Sequence, residues 1–246
     1  MGLRLAKARS LLPVTLASLL VLGVLISLGF WQIRRMEWKQ QLLEHIELQL
    51  SMTPTDLTTM PSPQLQDLAD FFPVTGRGKF VAEERHIYSL HEGQPGWRVV
   101  SPLLLAGSTA LMVDRGFVPE AAKNTKRDLP SGEVIIQGVI RSHDEGQGLF
   151  TPENRPDVDS WYWWDKSGLG KSFASQAGLT VEPVVVQLTE PVGLGEGPIV
   201  TATRPEVQNR HLGYAITWFG LAACLCAVYA AYLRSRLRAV ASTPAS

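Results

Sequence analysis

Two uncharged apolar runs constrain this chain more than any other feature. Residues 11–30 ("LLPVTLASLLVLGVLISLGF") contain no charged side chain, and a helix rising about 1.5 Å per residue carries such a run across a hydrocarbon core of roughly 30 Å. Residues 214–232 form a second run of nearly the same length, closed by Arg234, Arg236 and Arg238. The chain therefore reads as helix, large polar segment, helix. The expected domains are an N-terminus over 1–10, a first transmembrane helix over 11–30, a polar domain over 31–210, a second transmembrane helix over 211–233 and a basic tail over 234–246.

The formal net charge of zero conceals a segregation. All 23 acidic residues fall between Glu37 and Glu206, whereas Arg4, Lys7 and Arg9 precede the first run and three arginines follow the second. By the positive-inside rule both termini are expected in the cytoplasm and the middle domain on the opposite face of the membrane. A cleaved signal peptide is disfavoured for residues 1–30. The apolar run is long for such a segment, no small-residue cleavage pattern follows it, and helical spacing continues through "GFWQIRRMEWKQQLLEHIE". A mitochondrial presequence calls for a longer leader rich in Arg and Ser, so the expected location is a bacterial inner membrane, with the middle domain periplasmic. The bilayer is thus an expected partner, and nucleic acid is not.

The two cysteines, Cys224 and Cys226, both lie in the second apolar run. The middle domain consequently has neither disulfide nor thiol, which removes the main support for thioredoxin-like or cysteine-ligated copper chemistry. Trp31, Arg35, Trp38, Leu42 and Ile46 recur at helical spacing, so the first helix is expected to continue past the membrane surface. The polar, proline-bearing run "SMTPTDLTTMPSPQ" reads as a connector. Beyond it "PVTGRGKFV", "RHIYSL", "WRVVSPLLL", "TALMVDRGFV", "EVIIQGVIR" and "PVVVQL" read as strands, with "LLLAGSTALMV" a hairpin and "DKSGLGKSFASQAG" a short helix. The expected fold class is an α+β membrane protein: two transmembrane helices flank an extracytoplasmic, mainly antiparallel β domain, a sheet or small barrel with one or two short helices.

No nucleophile elbow, zinc motif or phosphate loop occurs, and "GRGKF" is too short for a P-loop, so no enzymatic activity is expected. His86 and His91 read as exposed strand and turn residues, with alternation placing them on opposite strand faces. His143 reads as a loop residue. In "DSWYWWDKS", alternating aromatics either fill the core or present Trp161, Trp163 and Trp164 as a partner surface.

His211 stands one turn before the second apolar run. At 100° per residue it shares a face with Tyr214, Ala215, Trp218, Ala222, Cys226 and Tyr229, while Gly213, Thr217 and Gly220 form a small-residue stripe suited to close approach of another helix. It reads either as an interfacial anchor or as an axial ligand to haem iron. In the second case an apolar cleft between the helices, reaching from Trp218 to residues 27–31, which include Trp31, takes the macrocycle. Arg34, Arg35 and Arg210 then supply cations for the propionates.

Six blocks carry a resemblance: "GFWQIRRMEWK", "PVTGRGKF", "GWRVVSPLL", "LMVDRGFVP", "SWYWWDKSGLGKSFA" and "NRHLGYAITWFGLA". In this order, framed by two apolar runs, they resemble the surfeit locus protein family of cytochrome c oxidase assembly factors. Phe117 departs from the tryptophan usual there but keeps the aromatic bulk. The resemblance implies an extracytoplasmic middle domain and a role in delivering or stabilising haem a in the largest subunit of cytochrome c oxidase. It also implies haem a ligation by the histidine that His211 matches. Haem a synthase is then the expected donor. The alternative is a scaffold without haem that holds an oxidase assembly intermediate.

Overall fold

The computed structural model describes residues 2–60, 62–105, 109–141, 146–193, 197–201 and 210–241. In chain order it contains α1 (Gly2–Leu50), β1 (Thr55–Asp56), α2 (Ser62–Gln66), β2 (Pro73–Phe80), β3 (Arg85–His91), β4 (Gln94–Leu104), β5 (Thr109–Pro119), β6 (Val134–Arg141), α3 (Lys166–Ala177), β7 (Thr180–Leu188) and α4 (His211–Ala241). Contacts divide the chain into two units, Met1–Glu44 with Glu206–Ser246, and His45–Pro205.

The first unit is the helix pair. α1 is continuous over 49 residues, so the residues from Trp31 to Ile46 are helical as their spacing predicts. α4 starts at His211 and continues through the three basic residues after the apolar run. Both helices are long and apolar enough to cross a membrane. They pack antiparallel: Thr15 meets Tyr229 at one end and Gln32 meets His211 at the other. Between them the rings of Phe30 and Phe219 meet edge-on at 5.5 Å. A Cβ at Gly29 would lie 2.7 Å from the Phe219 ring, so that glycine is what lets the helices touch.

The second unit is a closed five-stranded barrel in the order β2, β6, β7, β5, β4 and back to β2, with β1 added beside β2 and β3 beside β4. All six strands read from sequence are present. β4 and β5 pair antiparallel as the hairpin reading requires, and the helix of "DKSGLGKSFASQAG" is α3. Asp165 caps that helix by accepting from the Gly168 amide at 2.8 Å, and Gly178 ends it in the left-handed conformation. Two features differ from the sequence reading. β5 and β7 run parallel, as do β1 and β2. The proline-bearing connector is also part of the fold, because it supplies β1, the start of α2 and the fully buried Leu57.

Strand periodicity explains how the core is divided. Val74, Leu103, Leu111, Val113, Ile136 and Val186 come from all five barrel strands and fill one cluster. The neighbours Val100, Met112 and Val185 point to the other face and pack with Ile87, Trp161, Leu169 and Phe173. β5 and β7 are therefore buried on both faces, which is why "ALMV" and "VVV" show no alternation of polar and apolar residues. The barrel shuts where Lys79 and Phe80 pair with Leu104 and Leu103. A Cβ at Gly78 would lie 2.4 Å from the Leu104 carbonyl oxygen, so the second glycine of "GRGKF" belongs to the closing seam.

Candidate functional site

The helix pair brings His211 to a residue that sequence spacing did not indicate. Nδ1 of His211 lies 2.7 Å from Oε1 of Gln32 on α1. Gln32 is buried, at 9% exposure, among exposed neighbours of an apolar helix. An amide oxygen only accepts, so Nδ1 carries the hydrogen and the ring's lone pair resides on Nε2. That is the arrangement in which a second residue orients an imidazole and raises its basicity as a ligand. No periodicity marks Gln32; the available signal was an amide directly after the uncharged apolar run of residues 11–30 and Trp31.

Around this pair, Trp31 and Tyr214 are each 55% exposed, Trp218 is half-buried, and Arg34, Arg35 and Arg210 are exposed. The Arg35 guanidinium sits 4.0 Å over the Trp38 ring. Of the residues expected on the face of His211, Ala215 and Ala222 are buried and Tyr229 is half-buried, while Cys226 is exposed. The stripe of Gly213, Thr217 and Gly220 does not form the contact with α1. Nothing lies within 4 Å of a Cβ built at Gly213 or Gly220, and Thr217 is exposed. The small residue at the helix contact is Gly29 instead, and the close fit of Phe219 against it fills the cleft expected there.

The donor set fits one axial imidazole for haem iron, with exposed arginines nearby to meet carboxylates. The filled contact at Gly29 does not fit a macrocycle lying between the helices at that level. Trp31 and Tyr214 each offer exposed aromatic surface to such a ring.

In the barrel unit, His86 is not the exposed strand residue that its sequence context suggests. It is 7% exposed, with Nδ1 on the Asp159 carboxylate and Nε2 accepting from Nη2 of Arg127 at 2.8 Å. The same Arg127 nitrogen donates to Glu84 at 2.7 Å, and Arg115 donates to the other Glu84 oxygen at 2.7 Å. Burial lowers the Arg115 pKa while Glu84 opposes the shift. Both ring nitrogens of His86 are thus engaged, making it a structural node. His91 packs its ring 5.2 Å from that of Phe117, and His143 lies outside the described residues.

Trp161 is 1% exposed and belongs to the core beneath α3, so the expected partner surface does not extend to it. Its backbone docks on β3 through a bridge to Ile87. Trp163 and Trp164 are half-buried.

A pair of apolar helices bracketing a closed barrel, with a polar contact at His211, defines a class of two-helix proteins suited to a membrane. The SURF1 family model matches residues 19–223, and the chain belongs to the SURF1 family. It is 33% identical over 225 residues to a SURF1-like protein of Monosiga brevicollis, covering 84% of this chain and 82% of that one. It is also 29% identical to Surfeit locus protein 1 of Xenopus tropicalis (83% of this chain, 71% of the relative) and 29% identical to that of Homo sapiens (83% and 72%).

Proposed function

We propose that this chain is an assembly factor for cytochrome c oxidase that binds haem a through His211 and presents it to the largest oxidase subunit. Family membership supports the assembly role. The observation that carries the haem reading is the hydrogen bond from His211 to Gln32, which directs the lone pair to Nε2. Arg34, Arg35 and Arg210 are the proposed partners of the propionates, and Trp31, Tyr214 and Trp218 the apolar surface. Bound haem a would supply an iron centre with an axial position open to an imidazole. Haem a synthase is the proposed donor, and Trp163 with Trp164 the proposed partner contact. The proposed setting is a bacterial inner membrane with both termini cytoplasmic and the barrel periplasmic.

A scaffold without haem is the second reading, favoured by the direct packing of Phe219 on Gly29. Haem a content of the largest oxidase subunit, measured in cells with and without this chain, tests the assembly role. A deficit restored by the parent chain is expected; unchanged haem content and oxidase activity would overturn it.

A further inference from the structure

The chain from Gln147 to Thr151 forms a tight turn whose apex is apolar. The Thr151 amide donates to the Gly148 carbonyl at 3.0 Å, which closes the turn around Leu149 and Phe150, and Gln147 Nε2 donates to the Thr151 carbonyl at 3.0 Å. Central turn positions ordinarily hold Gly, Pro, Asn, Asp or Ser. Here they hold Leu149 and Phe150, 92% and 94% exposed, whereas no other large apolar side chain among the described residues, those of α1 and α4 included, exceeds 69%. A single exposed apolar residue is ordinary on a protein surface. An adjacent pair at a turn apex, with its whole surface turned outward, marks a contact with something else.

Three features decide what covers the pair. The barrel unit follows α1 and precedes α4, two helices long and apolar enough to cross a membrane, so a bilayer is a tethered neighbour of this turn rather than one met by diffusion. Two side chains supply far less area than the roughly 800 Å² per partner of a standard protein interface, while a fluid hydrocarbon layer takes a convex tip without a matching pocket. Residues 146–152 carry no charge, and the nearest charged residues in the sequence, Glu145 and Glu153, are acidic, which leaves anionic headgroups no attraction. We propose that Leu149 and Phe150 insert into the hydrocarbon of the bilayer that holds α1 and α4, as a third attachment of the barrel unit. The hydrogen bonds of the turn already occupy the Gly148 and Thr151 carbonyls and the Thr151 amide, so the tip brings few unmet backbone groups into a medium poor in partners. The inference rests on the two helices crossing a membrane and is independent of haem and of His211.

The test places the full chain, labelled with nitrogen-15 at its eight phenylalanines, in phosphatidylcholine nanodiscs. The Phe150 amide signal, identified by its loss in Phe150→Leu, is expected to broaden when phosphatidylcholine with a nitroxide on its acyl chain is included. It is expected to resist a water-soluble gadolinium chelate, and high salt is expected to change neither effect. Leu149→Asp sets a charge on the outward face of the tip and is expected to cut the nitroxide broadening of Phe150 by about half or more. If that variant does not fold, the parent signals decide alone. A parent Phe150 amide that the chelate broadens and the nitroxide lipid does not would overturn the proposal and leave the tip to a protein partner. An insertion signature that Leu149→Asp leaves intact would overturn it as well. The haem spectrum is expected to be unchanged in L149D, so failure here leaves the His211 reading standing, and the reverse.

Discussion

Nδ1 of His211 and the side-chain oxygen of Gln32 lie 2.7 Å apart, joining positions 179 residues apart in the chain. The contact fixes one tautomer of an imidazole at the head of an apolar helix. If His211 is a haem ligand, Gln32 is its positioning residue. Gln32→Leu keeps the bulk and the helix but removes the acceptor, and it is expected to weaken haem binding by about tenfold or more. Gln32→Glu, which still accepts, is expected to retain most of it. Haem titration of the purified chain separates the two; equal affinity for Leu and Gln would leave the hydrogen bond without a role in binding.

At the other end of the pair, Thr15 Oγ1 already donates to the Leu11 carbonyl at 2.9 Å, so the Tyr229 hydroxyl 2.5 Å away is the donor between the helices. Interhelical hydrogen bonds of this kind contribute about 0.6 kcal/mol on average and at most roughly 1.7 kcal/mol. Tyr229→Phe is therefore expected to lower the resistance of the helix pair to SDS by that small amount. A loss of several kcal/mol would mean that Tyr229 has further partners in the membrane.

Arg98 Nε donates to the fully buried Asp114 carboxylate at 2.5 Å, and Arg98 Nη1 reaches Thr201 at 2.9 Å. Asp114→Asn keeps the size of the side chain and an acceptor oxygen and removes the ionisable carboxyl. Burial raises the Asp114 pKa, with Arg98 opposing the rise. The folded chain thus holds this proton to higher pH than the unfolded chain. Its stabilising effect is complete below about pH 4 and is lost as pH rises through the raised value. Chemical denaturation across pH is expected to show that slope in the parent and not in the variant.

Alkaline phosphatase joined at Thr125 is expected to be active, and the same reporter after Arg238 inactive, because the two ends of the chain carry only basic charges while every acidic residue lies between them. An active reporter after Arg238 with a silent one at Thr125 would reverse the proposed orientation.

The strands were legible because "RHIYSL" and "EVIIQGVIR" are bounded by turn residues, and both long helices because their apolar runs have no other soluble solution. The closure of the barrel was not. It depends on Gly78 passing the Leu104 carbonyl, a contact between positions 26 apart that no local pattern carries. His86 looked exposed because its partners Arg127 and Asp159 are distant in sequence. At the candidate site His211 was visible as an imidazole at the edge of an apolar run. Gln32 was not, since the rotation of one helix against the other decides which residue meets the ring. For the same reason the sequence did not indicate that Gly29, and not the stripe of Gly213, Thr217 and Gly220, lies at the contact between α1 and α4.

The most direct test of the proposed function is the haem a content of the parent chain and of His211→Ala, purified from membranes of cells that make haem a and compared by absorption spectrum per polypeptide. The apolar run after residue 211 is untouched by the substitution, so the variant is expected to accumulate in the membrane in parent-like amount and to lack the haem a bands that the parent shows. A variant that carries as much haem a as the parent, with an unchanged spectrum, would contradict ligation by His211 and leave the scaffold reading in its place.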